Sequence, residues 1–204
     1  MKKISLISHH YNSRDKAQAL VNHLASMNPE VTEHVELIIV DDCSYERRVL
    51  DAHHIDLKHL RVLDDIPWNQ AGSRNLGAIT AAGRWLMFFD IDQLITAHGL
   101  TYLVAHCDQL DAKLMYFFLV AGYVDSNINQ AMAVHPNTFL VEGVRFRIDG
   151  MYDEDFAGNY GYEDIYLPYL WEKKWRAARD DRRRSFFSGP EFQNHQPEPR
   201  SGAE

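Results

Sequence analysis

Cysteine is nearly absent. Cys43 and Cys107 are the two in a chain of 204 residues, and without C-x-x-C spacing they indicate neither a disulfide framework nor a zinc knuckle. Both read as buried or half-buried thiols. A long apolar run is also missing: the opening stretch from Ile4 to Asn12 is too short, and too interrupted by polar residues, for a signal peptide or a membrane span. The expected location is therefore cytoplasmic. Basic excess is missing too, since 21 Lys and Arg face 29 Asp and Glu for a formal charge of −8. That excludes the global footprint of a nucleic-acid-binding protein. An anionic ligand must then be handled locally, by a metal ion, a few basic side chains or backbone N–H groups. The basic run Arg182-Arg183-Arg184 after Asp180-Asp181 reads as a solvated helix end, with contact to an anionic membrane surface or a polyanionic acceptor left open. No internal repeat is visible.

What is present fits one α/β domain. The length suits a single domain, and 46% hydrophobic with 25% charged residues is ordinary for a globular chain. Ile4 to Ser8 and Val35 to Val40 are apolar runs of strand length. Between them Ala17, Leu20, Val21, Leu24 and Met27 recur at helical spacing behind a candidate cap, Ser13. A third strand is expected around Leu60 to Leu63, a helix from about Ser73 to Ala82, and an apolar strand from Trp85 to Phe89. This alternation predicts a mainly parallel sheet covered on both faces. Further on, Leu100 to Leu110 reads as a helix, and Leu114 to Val120 and Thr138 to Val141 as strands. Glu163 to Trp175 reads as a helix that Pro168 should kink or delay. Gln193 to Glu204, rich in Pro, Gly and polar residues, reads as a fraying tail.

In such sheets ligands bind outside the carboxyl ends of the strands. Three strands end in polar residues: Ser8-His9-His10-Tyr11-Asn12, Asp41-Asp42-Cys43-Ser44, and Asp90-Ile91-Asp92. Two carboxylates one residue apart at a strand end present hard oxygen ligands suited to magnesium or manganese. Taken alone, they fit a turn that uses Asp for local hydrogen bonds equally well.

The run Gly72-Ser73-Arg74-Asn75-Leu76-Gly77, followed by Ala81 through Asp92, is similar to the segment that family 2 glycosyltransferases place before and through their metal-binding motif. The openings Ile4 to Asn12 and Ile38 to Ser44 also resemble that family. So does Gly158-Asn159-Tyr160-Gly161-Tyr162-Glu163-Asp164, which looks like its acceptor-site motif. The resemblance runs in order from about Ile4 to Trp171. It implies a GT-A fold: an α/β, Rossmann-like, mainly parallel sheet flanked by helices, with a small acceptor-binding portion. The implied domain spans residues 1–192, with a nucleotide-sugar half over 1–95 and an acceptor half over 96–192. The tail 193–204 would follow.

Carried over position by position, the resemblance places His9 and Tyr11 against the nucleotide and gives Asp42 a hydrogen bond to the base, with uracil the family's usual choice. Asp41 would support that loop. Arg74 would approach the diphosphate or the base-binding aspartates, Asp90 the ribose or the metal, and Asp92 would hold Mn2+ or Mg2+ against the diphosphate. His195 would complete the metal site, as a histidine beyond the Glu-Asp motif does in related enzymes. The expected substrates are a UDP-sugar and a glycan or other hydroxyl acceptor, with inversion at the anomeric carbon. Metal charge stabilises the leaving diphosphate, and a carboxylate across the sugar takes the acceptor proton. Asp164 is the candidate base, with Glu163 binding hydroxyls. The bland alternative makes both of them helix N-terminal acids.

Trp68, Tyr152, Phe156, Tyr160 and Tyr162 are expected around the acceptor cleft, where sugars stack on aromatic rings. Trp171 and Trp175 read as core. Among the histidines, His53, His54 and His59 read as surface or helix-end residues, His10 as a loop residue turned away from the nucleotide, and His135 has no assignable role. The sequence departs from the family pattern at Cys43, where glycine is usual, and at Gln93, where another acid is common. It has no Gln-x-x-Arg-Trp motif, which argues against a processive synthase. Two rivals remain. A nucleotidyltransferase would need a Gly-rich phosphate loop, and Ser8 to Ser13 has no glycine. A catalytically silent binding protein would share the fold, but the joint presence of Asp90, Asp92, Glu163 and Asp164 counts against it.

Overall fold

The computed structural model describes residues 2–125, 130–176 and 192–194. Strand β1 (Ile4–His10) leads into helix α1 (Arg14–Ala25), a short α2 (Pro29–Thr32) and β2 (Val35–Asp42). Strand β3 (Leu57–Val62), α3 (Gln70–Thr80) and β4 (Trp85–Phe88) complete the first half. After β5 (Gln93–Ile95) and α4 (Ala97–His106) come two long strands, β6 (Tyr116–Asp125) and β7 (Gln130–Glu142). Then follow α5 (Gly143–Asp149), α6 (Glu163–Arg176) and β8 (Phe192–Asn194).

One eight-stranded sheet runs in the order β3-β2-β1-β4-β7-β6-β8-β5. The pairs among β3, β2, β1 and β4 are parallel, as the β–α alternation requires. Beyond β4 the sheet turns antiparallel, because β7 returns against β4 and pairs with β6. The period of two divides the core between the faces. Ile4, Leu6, Leu37, Ile39 and Met87 pack with α1 and α4 on one side. Ile7, Ile38, Val40, Leu86 and Phe88 pack with Ala71 and Ala78 of α3 and with Phe146 on the other.

Several boundaries differ from the sequence reading, each for a local reason. Helix α3 starts three residues before Ser73, because Gln70 and Ala71 already fit its buried face. Ser13 stands at the N-cap of α1 without a side-chain cap; its hydroxyl donates to the Tyr11 carbonyl instead. Helix α4 starts earlier than Leu100, where Thr96 accepts from the Gly99 N–H, and ends at His106 in a 3-10 turn. The two strands expected at 114–120 and 138–141 belong to a longer antiparallel pair. Pro168 lies inside α6, and the helix starts at Glu163 regardless. Lacking an N–H, Pro168 gives the Asp164 carbonyl no intrahelical partner. At the opposite end of the parallel strands, the α3–β4 turn passes so close to β1 that a Cβ on Gly83 would lie 2.6 Å from the Ser5 nitrogen. The buried Glu36 carboxylate accepts from the Ala82 and Gly83 N–H groups and pairs with Lys58 at 2.8 Å.

Candidate active site

At the carboxyl ends of β1 and β2, alternation sends neighbouring residues to opposite faces. His9 and Asp42 belong to the α3 face, while His10 and Asp41 belong to the α1 face. The Asp42 carboxylate accepts from the Asn69 amide at 3.0 Å. Burial raises its pKa, although hydrogen bonds from Asn69 and Ser73 oppose the rise. His9 is pushed down to about 3, by burial first and then by the charges of Arg74 and His10, so it is a neutral imidazole at physiological pH. Tyr11 is 43% exposed, beside Tyr45 at a ring distance of 6.1 Å. Asp41 accepts from the Ser44 N–H at 2.8 Å and is bound by the Arg61 guanidinium. Ser44 in turn accepts from the Asn12 N–H at 2.8 Å, tying the first two strand ends together.

Arg74 is the hub. Its guanidinium is fully buried and donates to Asp90 Oδ1 at 2.6 Å, the Tyr152 hydroxyl at 2.9 Å and Asn137 Oδ1 at 3.2 Å. Burial works to lower its pKa, but Tyr152, Asp90 and Asp164 together hold it above the ordinary value, so it stays charged. The second oxygen of Asp90 faces Asn137 Nδ2 at 3.4 Å and His135 Nε2 at 3.6 Å. Asp92, two residues on, is half exposed and lies 3.5 Å from the Lys16 ammonium.

The two acid clusters meet electrostatically. Asp90 and Asp164 both act on Arg74, and Asp90, Asp92 and Asp164 all act on His135. Glu163 is buried, with Oε2 lacking a hydrogen-bond partner among the described residues. Its pKa is raised, by burial and then by the charge of Asp164. The aromatic groups separate into two sets. Trp68, Tyr160 and Tyr162 are exposed at the rim, with Trp68 and Tyr160 rings 4.3 Å apart. Tyr152, expected at the same rim, is instead buried among Phe88, Phe139 and Phe146 under Arg74. Phe156 packs against Tyr166.

Two histidine expectations are corrected. His10 ends β1 rather than standing in a loop, and it is buried. His59 lies in β3 and stacks on His10 at a ring distance of 6.3 Å. His135, without a role in the sequence, faces Asp90. Asn137 was likewise missed, since it sits in no motif, and Tyr152, expected as a cleft aromatic, is instead a hydrogen-bond partner of Arg74. Asn75 was within reach of a sequence reading: it lies in the quoted 72–77 run, and its amide exchanges two hydrogen bonds with the Tyr152 backbone. His195 lies outside the described residues.

With this geometry in place, comparison with known proteins gives the class. The model for glycosyl transferase family 2 matches residues 5–161, and the chain belongs to that family. An uncharacterized glycosyltransferase of Haemophilus influenzae is 36% identical over 89 residues, covering 44% of this chain and 29% of the relative. Among solved structures, S. aureus TarS residues 1–349 in complex with UDP-GlcNAc matches 99% of this chain and 61% of its own at TM-score 0.67 and 20% identity. GalNAc-T7 with UDP, GalNAc and Mn2+ matches 95% and 42% at TM-score 0.64 and 14% identity. At these identities the two structures show the shared GT-A fold. The chain spans less than a third of the length of that curated relative and about three fifths of TarS 1–349. Among the described residues no helix is long and apolar enough to cross a membrane.

Proposed function

We propose that the chain transfers a sugar from a nucleotide diphosphate donor, a UDP-sugar by the bound ligands of TarS and GalNAc-T7, to a hydroxyl acceptor with inversion. The observation that carries this reading is the hub at the end of β4, where buried Arg74 pairs with Asp90 at 2.6 Å and His135 lies 3.6 Å from the same carboxylate, with the charge of Asp164 reaching both Arg74 and His135. In this reading residues 1–95 hold the donor and 96–192 receive the acceptor. His9 and Tyr11 line the nucleotide, Asp42 accepts from the base, and Asp41 braces the loop through Ser44.

The acids fit a divalent cation. Asp92 offers a half-exposed carboxylate whose one ion pair among the described residues is with the half-exposed Lys16, and hard oxygens are what Mn2+ and Mg2+ select. Asp92 would hold the ion, with Asp90 behind it fixed by Arg74. When bound, such an ion neutralises charge on the leaving diphosphate. Asp164 takes the proton of the acceptor hydroxyl while that oxygen forms the new bond to the anomeric carbon and the bond to the diphosphate breaks on the opposite side. Glu163, pushed toward its protonated form, donates to a substrate oxygen.

The test is turnover of UDP-sugars with manganese by the natural chain and by Asp164→Asn. Loss of a general base should lower kcat by about 100-fold or more, while thermal stabilisation by the UDP-sugar persists. Binding of UDP-sugars without turnover by the natural chain would favour a silent binding protein. An Asp164→Asn variant with unchanged kcat would remove Asp164 from the reaction.

A further inference from the structure

On the α1 face, away from the proposed donor pocket, three adjacent strands carry His10 at the end of β1, Asp41 near the end of β2 and His59 in the middle of β3. Their candidate ligand atoms all lie within 4.8 Å of one another. Neither ring nitrogen of His10 has a hydrogen-bond partner among the described residues, although the residue is only 4% exposed, and His59 Nε2 is buried without one as well. Buried polar atoms are almost always satisfied, and those left open call for a ligand or another explanation. We propose that His10, His59 and Asp41 form a transition-metal site of zinc type, separate from Asp90 and Asp92.

The chemistry of the set supports this. Two imidazole nitrogens and one carboxylate oxygen are a zinc-type donor set, with a fourth position for water. Asp41 can serve because an ionised carboxylate offers about four lone-pair sites, of which the Ser44 N–H and Arg61 take two. Those contacts would act as the outer hydrogen bonds that orient a ligating carboxylate. Burial lowers the pKa of both histidines, keeping them in the neutral form a metal needs. In a closed site with bonds of about 2.0–2.1 Å, ligand atoms stand roughly 3.4 Å apart, so the rings must draw in by about 1 Å. His10 can do so without breaking a hydrogen bond.

Arg61 and Arg14 face the cluster and depress both imidazoles, and their charge works against any dication. That burden selects ions that bind imidazole strongly, zinc, nickel or copper, over magnesium and manganese. The occupied site would clamp the carboxyl ends of β1 and β2, with the Ser44 loop, to the middle of β3.

The test is titration of the chelator-treated full chain with Zn2+, and with Co2+ as a visible probe. One Zn2+ per chain and the intense visible absorption of four-coordinate cobalt are expected. Both should survive Asp92→Asn. His59→Ala should weaken zinc binding by more than about 10-fold, the loss typical of removing an outer partner alone. His59→Cys should restore binding and add a thiolate-to-cobalt charge-transfer band, which a misfolded variant would not show. Absence of zinc binding in the natural chain, or binding that Asp92→Asn abolishes and His59→Ala leaves intact, overturns the proposal.

Discussion

Asp42, Arg74 and Asn75 are buried side chains that each hydrogen-bond to named protein partners, Arg74 through its two terminal nitrogens, whereas Trp68, Tyr160 and Tyr162 across the cleft stand 49%, 78% and 70% exposed. The first group hangs from a parallel sheet and from α3, whose backbone is fixed by ladders and core. The second group rides on two loops, Trp68 on the one before α3 and Tyr160 and Tyr162 on the one before α6, and Trp68 and Tyr162 take positive φ values of 52° and 78°. The contrast teaches that one wall is preorganised before any ligand arrives, while the other leaves apolar rings in water for something to cover. A rigid wall suits a charged nucleotide, because fixed dipoles need no rearrangement when charge develops.

Arg74 is where breaking this contrast should have the largest effect. Arg74→Met keeps the length of the side chain but strands Asp90, Tyr152 and Asn137 without their common donor. Removing one partner of a buried ion pair costs about 3–5 kcal/mol, and the lower end applies because Asp90 is 25% exposed. Trp68→Ala on the open wall should change stability by less than about 1 kcal/mol, as surface substitutions do. Urea unfolding of both variants measures the difference, and equal losses would show that the two walls are built alike.

The same division decides what was legible in the sequence. Strand ends bearing Ser8 to Asn12, Asp41 to Ser44 and Asp90 to Asp92 were readable because each chemical group follows its own apolar run in the chain. The halves of the sheet differ likewise: β1 to β4 follow from local periodicity, whereas the length of β6 and β7 is set by pairing with each other and with β4. His135, Asn137 and Tyr152 meet Asp90 and Arg74 through that pairing and through packing on α3, across more than about 40 residues of chain, so no local pattern announces them. His59 misled for the same reason. It sits in the mixed run Lys58-His59-Leu60-Arg61, and its partial burial comes from stacking beside His10, two strands away in the sheet.

Acid sharpens the comparison at the next level of effect. His9 holds a folded pKa of about 3 against an ordinary value of 6.5. Between these limits the unfolded chain binds a proton that the folded chain refuses, so stability is full above 6.5 and falls as pH drops through the window. From about pH 7 to about pH 5.5 this one group should remove about 1 kcal/mol. His10 and His59 are shifted downward and add to the loss, while the raised Asp42 and Glu163 act with opposite sign. His9→Gln isolates the effect: its urea midpoint should fall less on acidification than that of the natural chain. An identical fall would mean that the His9 ring takes up protons as freely in the folded chain as in the unfolded one.

The smallest effect concerns backbone strain on the preorganised side. Cys43 adopts φ 58°, in the left-handed region, which costs a non-glycine residue roughly 1–2 kcal/mol. That is the physical reason glycine suits this position in the family pattern. Cys43→Gly relieves the strain, but it also loosens the unfolded chain by about 0.4–1 kcal/mol and loses the weak thiol contact to the Leu63 carbonyl at 3.4 Å. The balance predicts a gain of about 0.5 kcal/mol, read as a small rise in the melting temperature. Cys43→Ala keeps the strain and loses the thiol contact, so it should melt below the natural chain. If glycine and alanine shift the melt downward together, the thiol contact rather than the backbone governs this turn.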